Sequence, residues 1–190
     1  MEDNMKEKII GEKVILERAL CTESMANELF KVIDKCRKEF SPWLGWVEST
    51  NSPKDTLLFL ENVNKDWDEG LQNVYAIYTK GAFVGLISII NISQKNKKAE
   101  IGYWLDTDYT GKGLMSESVR LIEKELFENG FNRIVIHTDV LNLKSATVAK
   151  RLGYTHEGVL RESIYSEALG TYRNQNVFSK LKSDLKANTR

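Results

Sequence analysis

The sequence is poor in residues that interrupt a packed core. Only two of its 190 residues are prolines, and no tract is rich in proline, glycine or serine. Hydrophobic residues make up 42% and charged residues 28%, which excludes the disordered and collagen-like classes. A chain of this length buries about 70% of its unfolded surface. We therefore expect a single globular domain over residues 1–190.

The chain also has no surplus of charge of either sign. Lys plus Arg number 27, and Asp plus Glu number 27. No overall field therefore favours a nucleic acid or an anionic membrane, and we expect neither as a partner. A negatively charged ligand would have to be held by local geometry.

Long apolar runs are missing as well. The first twenty residues are studded with charges and lack the apolar core of a signal peptide. The longest charge-free apolar stretch, residues 82–93, is far shorter than the ~20 residues of a membrane helix. We expect a cytoplasmic protein in which Cys21 and Cys36 are reduced, with a disulfide between them as the alternative.

Hydrophobic periodicity predicts an alternation of strands and helices. The predicted strands cover residues 14–20, 73–79, 82–92, 99–105, 133–140, 154–164 and 175–181. The predicted helices begin at Thr22, Ser52, Met115 and Leu143 and end near Phe40, Gly70, Gly130 and Leu152. Short links between residues 73 and 105 imply an antiparallel meander, and a strand–helix–strand unit follows. We expect an α/β fold with a mixed, mostly antiparallel central sheet and helices on both faces.

A glycine loop joins the predicted strand 99–105 to the helix that follows. Gly111 and Gly113 lie in this loop, where the free amides at a helix start can bind an anion. A tight strand-to-helix turn would also explain the two glycines. The P-loop pattern is absent, and Ser116 stands where a dinucleotide fingerprint needs its third glycine. Both of those phosphate motifs are therefore disfavoured.

Several segments carry a resemblance to a known family. They are AEIGYWL at 99–105, GKGLMSE at 111–117, NLKS at 142–145 and LGY at 152–154. Together they resemble the GNAT acetyltransferase superfamily, and more narrowly its ribosomal-protein N-acetyltransferase (RimL/RimJ-like) branch. The order of the predicted elements is similar along almost the whole chain. The family's loop pattern, Gln/Arg-x-x-Gly-x-Gly/Ala, is met at Gly113 but not at Thr110 or Met115.

The resemblance implies acetyl-coenzyme A as co-substrate and no metal. The amides expected to hold its pyrophosphate belong to Gly111, Lys112, Gly113, Leu114, Met115 and Ser116. Its pantetheine arm would lie along the backbone of Tyr103, Trp104 and Leu105, like an added strand. Asn142 is expected to contact the arm. His137 and His156 lack metal-ligand spacing and are interpreted as strand residues.

The catalytic groups are less clearly marked. The tyrosine that often protonates the departing thiolate in this superfamily is replaced by Ala149, so Ser145 is the candidate donor to sulfur, with a capping role as the alternative. Glu100 could take the amine proton directly or through water, or it could merely bind the positive charge of the acceptor or pair with a neighbouring base. Glu162, on the predicted strand after Gly153, is a second candidate base, with a solvated strand face as the alternative. The glutamate usual in this branch falls near Ile164 by ungapped counting, so the usual base is either displaced or missing.

The expected function is acetyl-coenzyme A-dependent N-acetylation of a primary amine. The branch implies the N-terminal α-amine of a ribosomal protein. Trp43 and Trp46 would then shape the acceptor cleft, although core packing is the default for tryptophan. A small amine such as a polyamine or an antibiotic, and a non-catalytic coenzyme A-binding module, are the alternatives. A homodimer is left open.

Overall fold

The computed structural model describes residues 5–187, which form one eight-stranded sheet flanked by helices. The strands are β1 (Lys8–Ile10), β2 (Ile15–Arg18), β3 (Asn73–Thr79), β4 (Ala82–Ser93), β5 (Lys98–Leu105), β6 (Arg133–Asp139), β7 (Thr155–Ser166) and β8 (Thr171–Leu181). The helices are α1 (Glu23–Lys35), α2 (Arg37–Phe40), α3 (Pro53–Asp68), α4 (Leu114–Glu128), α5 (Leu143–Arg151) and α6 (Asp184–Ala187). None of the helices within residues 5–187 is long and apolar enough to cross a membrane.

The α/β class and the mixed sheet are as predicted. The sheet order is β1-β2-β3-β4-β5-β6-β8-β7, and β5–β6 is the parallel pair while the other neighbours are antiparallel. The helix starts at Thr22 and Ser52 are confirmed. The Thr22 side chain accepts from the Met25 N–H, and the Ser52 N–H donates to Asp55. Cys21 and Cys36 are both free thiols, as expected.

Three differences between the predicted and observed elements have a clear physical cause. The helix predicted to run to Phe40 is interrupted at Cys36, where the chain turns so that Phe40 packs 5.3 Å from the Trp104 ring. β1 was missed because three residues without a buried side chain give no apolar alternation. β8 begins at Thr171 rather than 175, because its first residues are polar and pair only with the end of β7.

Both faces of the sheet are covered by helices, as the alternation of side chains along β3 makes plain. Tyr75 and Ile77 point into a core shared with α4 and α5. Val74 and Ala76 point the opposite way, into a core shared with α1 and α3. Side chains fully buried in this way each contribute about 1.5–3 kcal/mol to stability. The central strands are therefore fixed from both sides.

The sheet opens between β5 and β6. Their pairing covers only residues 98–100 of β5 and residues 133–135 of β6. Beyond this point β5 stays paired with β4 up to Leu105, whereas β6 stays paired with β8 up to Asp139. The two strands therefore diverge, and within residues 5–187 no strand pairs with residues 101–105 on the β6 side.

Close packing of β4 on β5 fixes one side of this opening. A methyl group on Gly85 would overlap the Trp104 carbonyl oxygen and lie 3.0 Å from Leu105 Cα, whereas one on Gly102 would meet only Ile90 Cδ1 at 3.8 Å. We expect Gly85→Ala to lower the free energy of unfolding by about 1–3 kcal/mol, because β5 must shift. Gly102→Ala, the matched control, should change it by less than about 0.5 kcal/mol. Urea denaturation of both variants is the measurement, and equal stabilities would contradict the close approach.

Candidate active site

A groove of about 550 Å³ lies where β5 and β6 diverge. Its walls come from α2 and the loop after it, from the end of β5, from the start of α4 and from α5. The expected ligand-binding residues in its lining are Tyr103, Trp104, Leu105, Gly111, Gly113, Leu114, Met115, Ser116, Asn142, Ser145 and Trp43. The structure thus brings together most of the residues that the motifs indicated.

The groove reaches both faces of the sheet. Tyr103 and Leu105 pack towards α4 and α5, whereas Trp104 packs towards the core of α1 and α3. Phe40 and Phe83 hold the Trp104 ring at 5.3 and 6.1 Å between ring centroids. A ligand in the gap between β5 and β6 could therefore contact groups on both faces.

The loop before α4 presents free backbone amides to the groove. Gly111 and Gly113 have φ angles of 77° and 80°, the left-handed region that glycine adopts without strain. In the described part of the chain, the N–H groups of residues 111–116 have no hydrogen-bond acceptor. Amides that converge at a helix start form an anion site, which the helix dipole strengthens.

Lys112 is the one residue of the expected loop that does not line the groove. Its Nζ donates to the Asp108 carbonyl oxygen at 2.7 Å and lies 4.8 Å from the centroid of the Tyr109 ring. The side chain therefore packs on the preceding turn, and of the nitrogen atoms of Lys112 only the backbone N–H is left without an acceptor among the described residues.

Two cations near the amides were missed in the sequence. Arg151, in the last turn of α5, places Nη1 3.4 Å from Ser116 Oγ and lines the groove. Lys13 Nζ lies 3.7 Å from the position that a methyl group on Gly113 would take. Neither residue belongs to a local motif, because only the fold brings them to the loop.

The start of the loop is anchored by charge. Lys35 Nζ donates to Asp106 at 2.6 Å and to Asp108 at 2.9 Å, and the Asp106 side chain is only 5% exposed. The hydrogen bond to Asp106 raises the pKa of Lys35. Asp106 also accepts from the Asp108 N–H. The end of α1 therefore fixes the turn from which the amide loop begins.

Two hydroxyl groups meet on the α5 side of the groove. Ser145 Oγ donates to the Tyr103 hydroxyl at 3.1 Å, and that hydroxyl donates to the Ser145 carbonyl oxygen at 3.2 Å. Burial raises the pKa of Tyr103 to about 12. Asn142 caps α5 by accepting from the Ser145 N–H at 3.1 Å. No role in the site was predicted for the Tyr103 side chain, because the resemblance implied a ligand contact only for its backbone.

Glu100 is the last residue of β5 that pairs with β6, and it lies outside the lining of the groove. Its carboxylate contacts His137 Nδ1 at 3.0 Å and accepts from Asn91 Nδ2 at 2.9 Å. Burial acts to raise the pKa of Glu100, but the bonds from His137 and Asn91 outweigh it and hold this pKa below its ordinary value. His137 and Asn91 are neighbours that the sequence did not reveal.

The remaining predicted residues lie farther out. Glu162 is exposed on a bulge of β7, with φ at 49°, and its N–H donates to Asn174 Oδ1. It does not line the groove. Trp46 is 41% exposed and stands behind Trp104, at 6.4 Å between rings. Within residues 5–187, no cluster of three or more His, Cys, Asp or Glu side chains is arranged to hold a metal.

The chain is similar to known proteins along most of its length. Residues 15–155 match the family model described as acetyltransferase (GNAT) domain. A putative ribosomal N-acetyltransferase, YdaF of Bacillus subtilis (strain 168), is 32% identical over 145 residues, which are 74% of this chain and 78% of that protein. The ribosomal-protein-serine acetyltransferase of Escherichia coli (strain K12) is 28% identical over 167 residues, 87% of this chain and 92% of that protein.

Solved structures show the same likeness. RimL, a ribosomal L7/L12 α-N-protein acetyltransferase solved with coenzyme A, superposes with a TM-score of 0.85 at 27% identity, covering 91% of this chain and 96% of its own. The microcin C7 self-immunity acetyltransferase MccE, solved with acetyl-CoA and AMP, gives 0.87 at 28% identity, covering 94% and 98%.

The fold and the groove thus define an acyl-group transferase, and the chain belongs to the GNAT acetyltransferase family. It is an N-acetyltransferase whose relatives include ribosomal-protein acetyltransferases, which confirms the branch that the motifs indicated.

The cap at α5 can be tested by itself. We expect Asn142→Ala to lower the free energy of unfolding by about 1 kcal/mol, because the Ser145 N–H loses its acceptor. Asn142→Asp keeps a side-chain oxygen at this position and should retain most of the stability. Urea unfolding is the measurement. An alanine variant as stable as the original protein would show that Asn142 is not needed as a cap.

Proposed function

We propose that the protein transfers the acetyl group of acetyl-CoA to the N-terminal α-amine of a ribosomal protein. One observation carries this proposal. The free amides of residues 111–116 stand beside a strand edge without a partner, and both face the same groove. RimL and the E. coli relative, which act on ribosomal proteins by name, support the acceptor. Such an acceptor would place the reaction in the cytoplasm.

The residues of the groove fit coenzyme A. The amides of residues 111–116 would bind the pyrophosphate, and the nearby guanidinium of Arg151 would add positive charge. Space is open at Gly111, where an added methyl group would have no neighbour within 4 Å. The free edge of residues 101–105 would pair with the amides of the pantetheine arm, as a peptide pairs with an exposed strand. Acetyl-CoA supplies the activated acyl group.

The hydroxyl pair beside the groove suits the departing thiolate. Ser145 Oγ would turn from Tyr103 towards the sulfur, and the Tyr103 hydroxyl stands behind it as a second donor. This pair would take the place of the tyrosine that the family often carries where this chain has Ala149. Ala149 itself is buried in the core and offers no proton.

The other end of the groove suits the acceptor. Trp43, Phe40 and Leu44 form apolar walls there, and Glu39 adds a carboxylate at the mouth. A carboxylate attracts a protonated amine, and aromatic walls can enclose the first side chain of a peptide. These features support a peptide that enters with its N-terminus first.

A small amine is the second candidate acceptor. MccE, whose TM-score is as high as that of RimL, is described as a microcin self-immunity enzyme and was solved with AMP. This observation favours a small amine such as an antibiotic over a polyamine. The two classes of acceptor differ in size, because only a protein acceptor requires the groove to admit a segment of polypeptide.

The acceptor test is thiol release from acetyl-CoA. We expect release with synthetic peptides that begin with serine or alanine, because their free α-amine can enter the groove. The same peptides, blocked at the N-terminus but retaining a lysine, are the matched control and should react at least about tenfold more slowly. Release with spermidine or an aminonucleoside, and none with the free peptides, would overturn the peptide acceptor.

The amide loop is tested by coenzyme A affinity in titration calorimetry. We expect Gly113→Val to weaken binding at least about tenfold, because a β-branched residue cannot hold the loop at a φ of 80° with its amides converged. Gly130 has a similar φ of 84° but stands at the end of α4, away from the groove. Gly130→Val should lose comparable stability and bind within about twofold of the original. Unchanged affinity in Gly113→Val would refute the loop assignment.

A further inference from the structure

Three polar side chains meet where β5 and β6 separate. Asn91 stands on a bulge of β4 with φ at 50°, a strained angle that aims its amide at Glu100 Oε2. His137 Nδ1 lies 3.0 Å from the other oxygen, Oε1. Both carboxylate oxygens of Glu100 are therefore occupied, and its side chain is only 15% exposed.

This arrangement fixes the tautomer of His137. A carboxylate accepts hydrogen bonds and cannot donate them, so the contact requires a proton on Nδ1. In the neutral ring, Nε2 then carries the lone pair. Among the described residues Nε2 has no hydrogen-bond partner, and the His137 side chain remains 23% exposed. The free nitrogen is thus a proton acceptor that can be reached.

We propose that His137 is the general base of this enzyme, taking the proton of the acceptor ammonium at Nε2, while Glu100 and Asn91 position it. The inference rests on the proposed function and deepens it. Glu100, which the sequence indicated as a base, acts here through its neighbour, like the carboxylate that orients a catalytic histidine in a hydrolase triad. Each Glu100 oxygen already accepts one hydrogen bond and the side chain is only 15% exposed, so the unbonded, more exposed Nε2 of His137 is the better placed acceptor for the amine proton.

The proton balance is complete with groups already named. The ammonium gives one proton to His137 Nε2, and the neutral amine attacks the thioester carbon. As the C–N bond forms and the C–S bond breaks, the nitrogen loses a second proton, which reaches the thiolate sulfur. His137 then returns its proton to water. The products are an amide, a thiol and one proton.

His137 shares a sheet face with the acceptor end of the groove. Two residues further along β6, Asp139 pairs with the buried Arg173 at 2.8 Å. Arg173 lies 5.5 Å from the centroid of the Trp43 ring, which lines the groove. Trp104 lies on the same face of β5 as Glu100, four residues on. Glu100 and His137 therefore lie on the same face of the sheet as both tryptophans, next to the residues that line the groove but outside its lining.

The two other charged residues of β6 on this face are already paired. Arg133 of β6 binds Glu157 of β7, and Asp139 binds Arg173 of β8. Lys98 of β5 acts on Glu100 through its charge alone, and the residue opposite His137 on β8 is Val177. Glu100 is thus the ionised group in direct contact with the His137 ring, and it stabilises the imidazolium after proton transfer.

The kinetic test compares His137→Gln with His156→Gln over a range of pH. Ordinary α-amines have a pKa of about 8, so the acceptor is mostly protonated at pH 7. We expect His137→Gln to lower kcat/KM about 100-fold at pH 7, with the deficit shrinking at pH 9, where the amine no longer needs a base. His156 is exposed and hydrogen-bonded to Asn176, so His156→Gln is the control and should leave the dependence of kcat/KM on pH unchanged.

A spectroscopic test needs no turnover. Nitrogen-15 shifts of the imidazole should show the Nδ1–H tautomer for His137 in the original protein. In Glu100→Gln, the Asn91 Nδ2 group would donate to the new glutamine's side-chain oxygen, which leaves the glutamine's NH2 group facing His137 Nδ1. Nδ1 would then have to accept a hydrogen bond, so the ring should switch to the Nε2–H tautomer. Activity at neutral pH should then fall as far as in His137→Gln, and the double variant should be no slower.

The outcomes separate the two proposals. If none of the amines tested causes the original protein to release thiol from acetyl-CoA, the proposed function fails. Suppose instead that the original protein is active. The base assignment is overturned if the folded His137→Gln variant keeps near-original kcat/KM at pH 7, or if its loss of kcat/KM is the same at all pH values. An Nε2–H tautomer in the original protein would also overturn it.

Discussion

The divergence of β5 and β6 is the constraint on which the rest of the site depends. β6 cannot follow β5, because β8 holds it by pairing along its whole length. β5 cannot follow β6, because it is paired with β4 and packed against Gly85 with no room for a side chain. Two strand edges therefore face each other with no strand of the described chain between them, although such backbone groups strongly favour pairing. A ligand with its own amides is what this gap can accommodate.

Balanced total charge hides a strongly polarised region. The chain has no net charge, yet the converging amides of residues 111–116, Arg151 and Lys13 make one end of the groove positive. At the other end Glu39 contributes a negative charge. The ion pair of Lys35 with Asp106 lies between these regions and ties α1 to the turn that carries the amides. Local geometry, rather than a basic surplus, provides the proposed anion site.

The sequence predicted those parts of the fold and site that depend on neighbours in the chain. Residues 73–79 contain a continuous apolar run and end at a Lys-Gly turn, so β3 was predicted with its observed limits. The amide loop was found because glycines and motif residues are contiguous. Asn91, Arg151 and His137 carry no local signal, since strands and helices far apart in sequence bring them to the site. Glu162, proposed only for its position on the predicted strand after Gly153, lies on an exposed bulge.

Pleating of β5 separates the two proposed proton routes. Successive side chains point to opposite faces, so Tyr103 meets Ser145 on the α5 side while Glu100 meets His137 on the other. Tyr103 of the hydroxyl pair and Glu100, which positions the proposed base, thus share one strand but lie on opposite faces of the sheet, which keeps the two proton routes apart. The gap beside residues 101–105 is the place where both faces are accessible at once. An amine that enters from the side of Trp43 would meet the base before the thioester, and the thiolate would leave towards the hydroxyl pair.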